Sequence, residues 1–235
     1  MDTLSNLKEK IESYLRKSYT QDIIKLIPKV NDAAECMTNI AKLVNDMKLA
    51  YAWRCIADDC NLEQSINLIY NYVSDPERAY YVAGEFQKII LADSLISSSI
   101  IAYILGRVTS ENRKATHSEI IVSNALMKMT DYDIDNFRFI LEHCATQLGG
   151  YEVLDISNLP EDKGASCAYT LQICVSNGLL KGESDFLGID EDSPNDQEAL
   201  YSGIHYMKTI YAEQTCRYIE KVEQILKYRT TKGDL

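Results

Sequence analysis

The chain has no Lys or Arg between Ala165 and Asn177, and none between Glu183 and Ser202. The second stretch instead carries Glu183, Asp185, Asp190, Glu191, Asp192, Asp196 and Glu198. Attraction to phosphate supplies much of the affinity for nucleic acid and needs cations at the contact. These two segments therefore make a poor nucleic-acid surface. The whole chain leans the same way. Its 235 residues hold 35 acids against 24 Lys and Arg, a net charge of −11, which argues against general affinity for nucleic acid or an anionic membrane. Also absent are a Cys-x-x-Cys pair, a Glu-x-x-His motif, a glycine-rich phosphate loop and a nucleophile elbow. No catalytic, cofactor-binding or metal-ligating residue is assigned, and no cofactor is expected. The cysteines number seven and are irregularly spaced, which suits reduced, buried thiols and a cytoplasmic location. Met1–Arg16 is charged and amphipathic, with neither the apolar run nor the cleavage site of a secretory leader.

What is present is mainly helix signal. Leu4, Leu7, Ile11 and Leu15 recur at three- and four-residue steps. Ile23–Ile27 ends at Pro28, and Asn31–Asp58, free of Gly and Pro, predicts a helix roughly 40 Å long. Asn61 and Gln64 are placed to cap a helix over Leu62–Val73. Ser74-Asp75-Pro76-Glu77 is another start signal. It opens a predicted helix over Glu77–Arg107, whose Ile89–Gly106 portion has Asp93 as its only charge. Asp93 and the serines among Ile89–Gly106 are costly in lipid, so a central bundle helix is expected rather than a membrane span. Gly106 and Thr109–Thr116 read as a loop, followed by helices over His117–Met129 and Asp131–Thr146. Gly149-Gly150 marks the expected domain boundary.

The character changes beyond that point. Tyr151–Ile156 alternates like a strand, and Ala165–Asn177 forms a short helix stopped by Asn177-Gly178. Leu179-Leu180, a polar hairpin, a returning strand at Gly203–Tyr206 and a last helix over Tyr211–Tyr228 follow. This order predicts a winged-helix-like module. The expected fold is mostly α: a helical bundle over residues 1–149, then a small α+β winged-helix-like module with a long C-terminal helix over residues 150–235.

Several constellations need weighing. Asp131, Asp133, Asp135 and Glu142 match the acidic positions of a calcium loop, but Asn136 replaces its glycine and Arg138 its apolar residue. Ile134, Phe137, Ile140 and Leu141 form a helical stripe instead, which makes Asp131 a cap. Arg113 and His117, with three residues between them, resemble an RNA-cleaving pair of the HEPN type; a surface role near a helix start is the expectation. Glu85 and Asp93 lie eight positions apart on the most apolar helix, and Asp93 is expected to pair with Arg54, Arg78 or a tyrosine hydroxyl. Tyr70, Tyr72, Tyr80 and Tyr81, with Tyr51, are concentrated around the second and third helices, and tyrosine is favoured at protein interfaces.

From Ser74 to about Glu220 the order of elements resembles the abortive-infection alpha type of bacterial and prophage protein. An apolar helix through Phe86–Leu105, the segment His117–Ile140, the QICVSNGLL helix end and the segment His205–Val222 carry that resemblance. It implies a bacterial or phage setting and a role in phage–host conflict, without naming a reaction. The function expected is therefore a non-catalytic protein-interaction or regulatory factor. Glu183, Asp185, Asp190, Glu191, Asp192, Tyr70, Tyr72, Tyr80 and Tyr81 would contact a protein partner with a basic surface. Neither nucleic acid nor membrane is an expected partner, and a homo-oligomer is compatible with the sequence. The alternatives are a dimeric DNA-binding regulator using Lys221, Lys227 and Arg229, a ribonuclease using Arg113 and His117, and a membrane effector inserting Ile89–Gly106.

Overall fold

The computed structural model describes residues 47–58, 61–148, 151–156, 159–184 and 204–231, together with Asn6, Glu9 and Lys10. The helices expected around Leu4–Leu15 and Ile23–Ile27, and the first part of the one from Asn31, lie outside the described residues. The chain forms two compact units: residues 1–131 with 217–235, and residues 132–216. It is mostly helical, with a small antiparallel sheet. The boundary expected at Gly149-Gly150 falls between two strands of the second unit.

In the first unit, the side chains at the helix starts do what their chemistry predicts. The helix α1 (Leu62–Tyr72) opens on a reciprocal box. Asn61 Oδ1 accepts from the Gln64 N–H at 2.9 Å, and Gln64 Oε1 accepts from the Asn61 N–H at 3.0 Å. α2 (Pro76–Leu91) starts where Asp75 accepts from the Arg78 N–H at 3.0 Å, with proline at the first helical position. At its far end Lys48 donates to the carbonyls of Ile90 and Ala92, at 3.2 and 2.5 Å, satisfying acceptors that a helix terminus leaves open.

The single helix expected over Glu77–Arg107 is in fact two. Ala92 adopts an extended backbone with ψ 135°, and Ser94 starts α3 (Leu95–Ser110) by accepting from the Ser97 N–H at 3.0 Å. Asp93 therefore stands exposed at a corner, away from its expected place in the core. Arg78 is engaged elsewhere, donating to Asn112 Oδ1 at 2.7 Å. α3 also outlasts the expected loop start at Gly106 and runs to Ser110. Its three consecutive serines are buried yet satisfied: Ser97 donates to the Met129 carbonyl at 3.1 Å, and Ser98 and Ser99 each to that of Leu95 at 2.8 Å.

α3 packs against α1, α2 and α4 (His117–Leu126). At Gly106 it comes so close to the helical residues 47–56 that an added Cβ would sit 2.8 Å from Ile56 Cα and Ile56 O. Among the described residues no helix is long and apolar enough to cross a membrane.

The second unit takes in most of α5 (Asp131–His143), β1 (Ala145–Leu148), β2 (Tyr151–Leu154), α6 (Glu161–Ser176), β3 (Leu180–Ser184) and β4 (Ile204–Lys208). It ends within α7 (Ile210–Thr231), whose later part belongs to the first unit. There Tyr218 meets Tyr103 edge-on at 5.9 Å. α5 stops at His143 rather than Thr146, because Ala145–Leu148 pairs antiparallel with β2. The strand order is β1-β2-β4-β3, antiparallel throughout. α6 ends as Asn177-Gly178 predicts. Gly178 takes φ 78°, its N–H bonds to the Val175 carbonyl at 3.1 Å, and the Leu179 N–H bonds to that of Cys174 at 2.9 Å. This double closure needs a left-handed residue, for which glycine carries no steric cost.

Candidate interaction surface

α6 is held in place by a buried polar bolt to α5. The Thr170 hydroxyl donates to Asp133 Oδ1 at 2.8 Å and accepts from Asn136 Nδ2 at 3.3 Å. Lys163 lies 5.0 Å over the Phe139 ring and reaches Asn136 Oδ1 at 3.5 Å. Asp133 is thus a packing residue. The calcium-loop acids Asp131, Asp133, Asp135 and Glu142 all lie on the continuous helix α5, where Ile134, Phe137 and Ile140 face inward. Asp131 Oδ1 itself accepts from Ser94 Oγ.

With Cys167, Thr170, Leu171 and Cys174 turned inward, α6 presents Ala165, Ser166, Ala168, Tyr169, Gln172 and Ser176 to solvent. Beyond the exposed Glu161 at the start of the helix, that face bears no charge. Tyr169, near its middle, is 64% exposed, and Tyr132 on α5 is 83% exposed. Burial raises the thiol pKa values of Cys144, Cys167 and Cys174 above the ordinary range, which leaves them protonated and unreactive.

The expected acidic contacts are only partly within view. The Glu183 backbone pairs with His205 in the β3–β4 ladder. Its side chain and all of Asp185, Asp190, Glu191 and Asp192 lie outside the described residues. The expected tyrosine face is divided. Tyr80 is 55% exposed, and Tyr70 is half-buried with the Lys10 ammonium 3.9 Å from its ring centroid. Tyr72, in contrast, is 2% exposed, with the Arg78 guanidinium 4.6 Å from its ring and the Tyr81 ring edge-on at 6.4 Å. Tyr72 belongs to the core, and the Tyr81 hydroxyl is buried beside it. Adjacent residues on a helix point in different directions, which is why Tyr80 and Tyr81 part company.

The cations proposed for alternative functions are engaged. Arg113 grips the buried Glu119 through Nη1–Oε2 at 2.7 Å and Nη2–Oε1 at 2.6 Å, while its Nε donates to Glu111 at 2.5 Å. His117 is exposed at the start of α4. Lys221 pairs with Asp58 at 3.0 Å and Lys227 with Glu223 at 3.8 Å; the Arg229 side chain lies outside the described residues.

One cluster was not visible from sequence. Tyr81 and Glu85 on α2 lie with Glu119 and Ser123 on α4 in one electrostatic neighbourhood. Burial, together with the Glu119 charge, pushes the Glu85 carboxyl above its ordinary range despite the Lys88 ammonium at 2.7 Å. Burial also works to raise Glu119. There Arg113 and the Thr116 N–H and hydroxyl outweigh it and hold the carboxyl below its usual value. Among the described residues no group of three or more His, Cys, Asp or Glu is placed to hold a metal ion. Comparison with protein-family models, curated proteins and solved structures returns no match.

Proposed function

We propose that the chain is a non-catalytic protein-interaction factor that docks a partner on the outward face of α6. The observation that carries this reading is the character of that face: uncharged beyond Glu161, lined mostly by small residues, with Tyr169 standing out at 64% exposure. A large aromatic among small side chains contributes contact area at little entropic cost, as in the centre of protein interfaces. The acidic residues Glu183, Asp185, Asp190, Glu191 and Asp192 follow in sequence, and in this reading they meet a basic surface on the same partner.

A winged-helix-like reading of the second unit is supported by the order α6, β3, β4 and by β4 lying between β2 and β3. It departs from the usual pattern in having, among the described residues, one helix rather than two between β2 and β3. In this protein the helix that would read DNA has no cation on its exposed face. We infer that such a module has been turned to protein contact, in the phage–host setting that the abortive-infection resemblance implies. The free, buried cysteines Cys144, Cys167 and Cys174 suit a reducing cytoplasm.

The test is a photo-crosslinking amino acid placed at residue 169 and, as a control, at residue 93, in cells of a bacterial host. A defined protein adduct at 169 that survives nuclease and disappears with Ala168→Arg is the expected result. Equal labelling at both positions, or an adduct lost with nuclease, would remove the proposal.

A further inference from the structure

α2 and α4 face each other along a polar seam. Tyr81 and Glu85 are one turn apart on α2, as are Glu119 and Ser123 on α4, so each helix offers a pair on one side. Cations close two of these positions. Arg113 takes both Glu119 oxygens, and Lys88 takes Glu85 Oε1 at 2.7 Å. The remaining atoms are another matter. Tyr81 Oη, Glu85 Oε2 and Ser123 Oγ are sealed from solvent and, among the described residues, have no hydrogen-bond partner. Glu85 is 3% and Ser123 1% exposed, and the Ser123 hydroxyl lies near the Glu85 carboxyl without the geometry of a bond.

Three orphaned polar atoms in one neighbourhood point to a common partner, because buried polar groups in folded proteins are almost always paired with protein or ordered water. Their chemistry defines it. Each carboxylate already has its own cation, Lys88 for Glu85 on α2 and Arg113 for Glu119 at the start of α4, so a neutral guest adds no uncompensated charge. Two hydroxyls and a carboxyl oxygen call for a molecule that both donates and accepts. All three atoms are inaccessible, so the guest is small. We propose that Tyr81, Glu85 and Ser123 together bind one internal water molecule that bridges α2 to α4. It accepts from the Tyr81 hydroxyl, donates to Glu85 Oε2 and bonds Ser123 Oγ, the three contacts usual for a buried water.

Oxygen-17 relaxation dispersion of water, recorded on the full chain, tests this. The wild type should lose about one long-lived water in the Tyr81→Phe/Ser123→Ala double variant. An unchanged dispersion amplitude, in a variant whose near-ultraviolet circular dichroism matches the wild type, would overturn the proposal. A measurement on the unaltered protein stands beside it in case the double variant does not fold. Water-selective nuclear Overhauser spectra should show a long-lived water signal at protons of Tyr81 or Ser123. Absence of that signal means that these side chains pair directly, and the proposal fails.

Discussion

Arg113 and Glu119 are joined fork to fork, by two parallel hydrogen bonds of 2.7 and 2.6 Å that close the loop before α4. Glu119 also accepts from the Thr116 N–H at 2.8 Å and returns its own N–H to Thr116 Oγ1 at 3.2 Å, completing the helix cap. One carboxylate thus serves an ion pair and a helix start together.

Arg113→Ala would leave that carboxylate buried without its cation. The expected loss is about 2–4 kcal/mol of unfolding free energy, below the range for a wholly buried pair because Arg113 is partly exposed. Arg113→Lys, with one point charge in place of a fork, should lose less. His117→Ala should be near neutral. Urea denaturation of the three variants checks the order.

Gly106 and Gly84 form an internal control. Gly106→Ala would place a Cβ 2.8 Å from Ile56 backbone atoms, so helices must separate, at about 1–3 kcal/mol. At Gly84, inside α2, an added Cβ meets nothing within 4 Å, and Gly84→Ala should stabilise by about 0.5–1 kcal/mol. Melting temperatures moving in opposite directions are the expected outcome.

Thr170→Val keeps the shape of the α5–α6 contact but removes the hydroxyl from Asp133 and Asn136. Both are buried, so the loss should be about 1–3 kcal/mol, and Thr170→Ser should recover most of it. Chemical denaturation followed by far-ultraviolet circular dichroism reads this directly.

Glu85 and Glu119 should respond to pH with opposite signs. Glu119 has a lowered folded pKa, so its contribution is present above the ordinary value of 4.5 and is lost as pH falls through the folded value. Glu85 has a raised one; its contribution is full below 4.5 and lost as pH rises through the folded value. Relative to wild type, Glu85→Gln should therefore gain stability as pH rises from 4 towards 8. The deficit of Glu119→Gln should shrink as pH falls below 4.5. Thermal melts across that range give both slopes, and parallel slopes would contradict the assignment.

The helix starts were legible because capping is chemistry between residues three apart. Asn61 with Gln64, Asp75 before Pro76 and the end of α6 at Gly178 all appear where the sequence signals them. The corner at Ala92–Ser94 was obscured by an apolar run that continues on both sides of it. Only the packing of α3 and the Ser94 cap identify Asp93 as a surface residue. β1 escaped for a similar reason, since Ala145–Leu148 has no strand pattern of its own and becomes a strand by pairing with β2.

By itself, then, the sequence determined the helical class, most of the helix starts and the uncharged character of the α6 face, since these depend on residue type and short spacing. Tertiary structure decided which side of each helix is buried. It sent Tyr72 into the core while Tyr80 stayed outside, and turned Arg113 towards Glu119. It also gathered Tyr81, Glu85 and Ser123 across two helices. Those outcomes depend on the rotation of one helix against another, and side-chain packing sets that angle between segments distant in the chain.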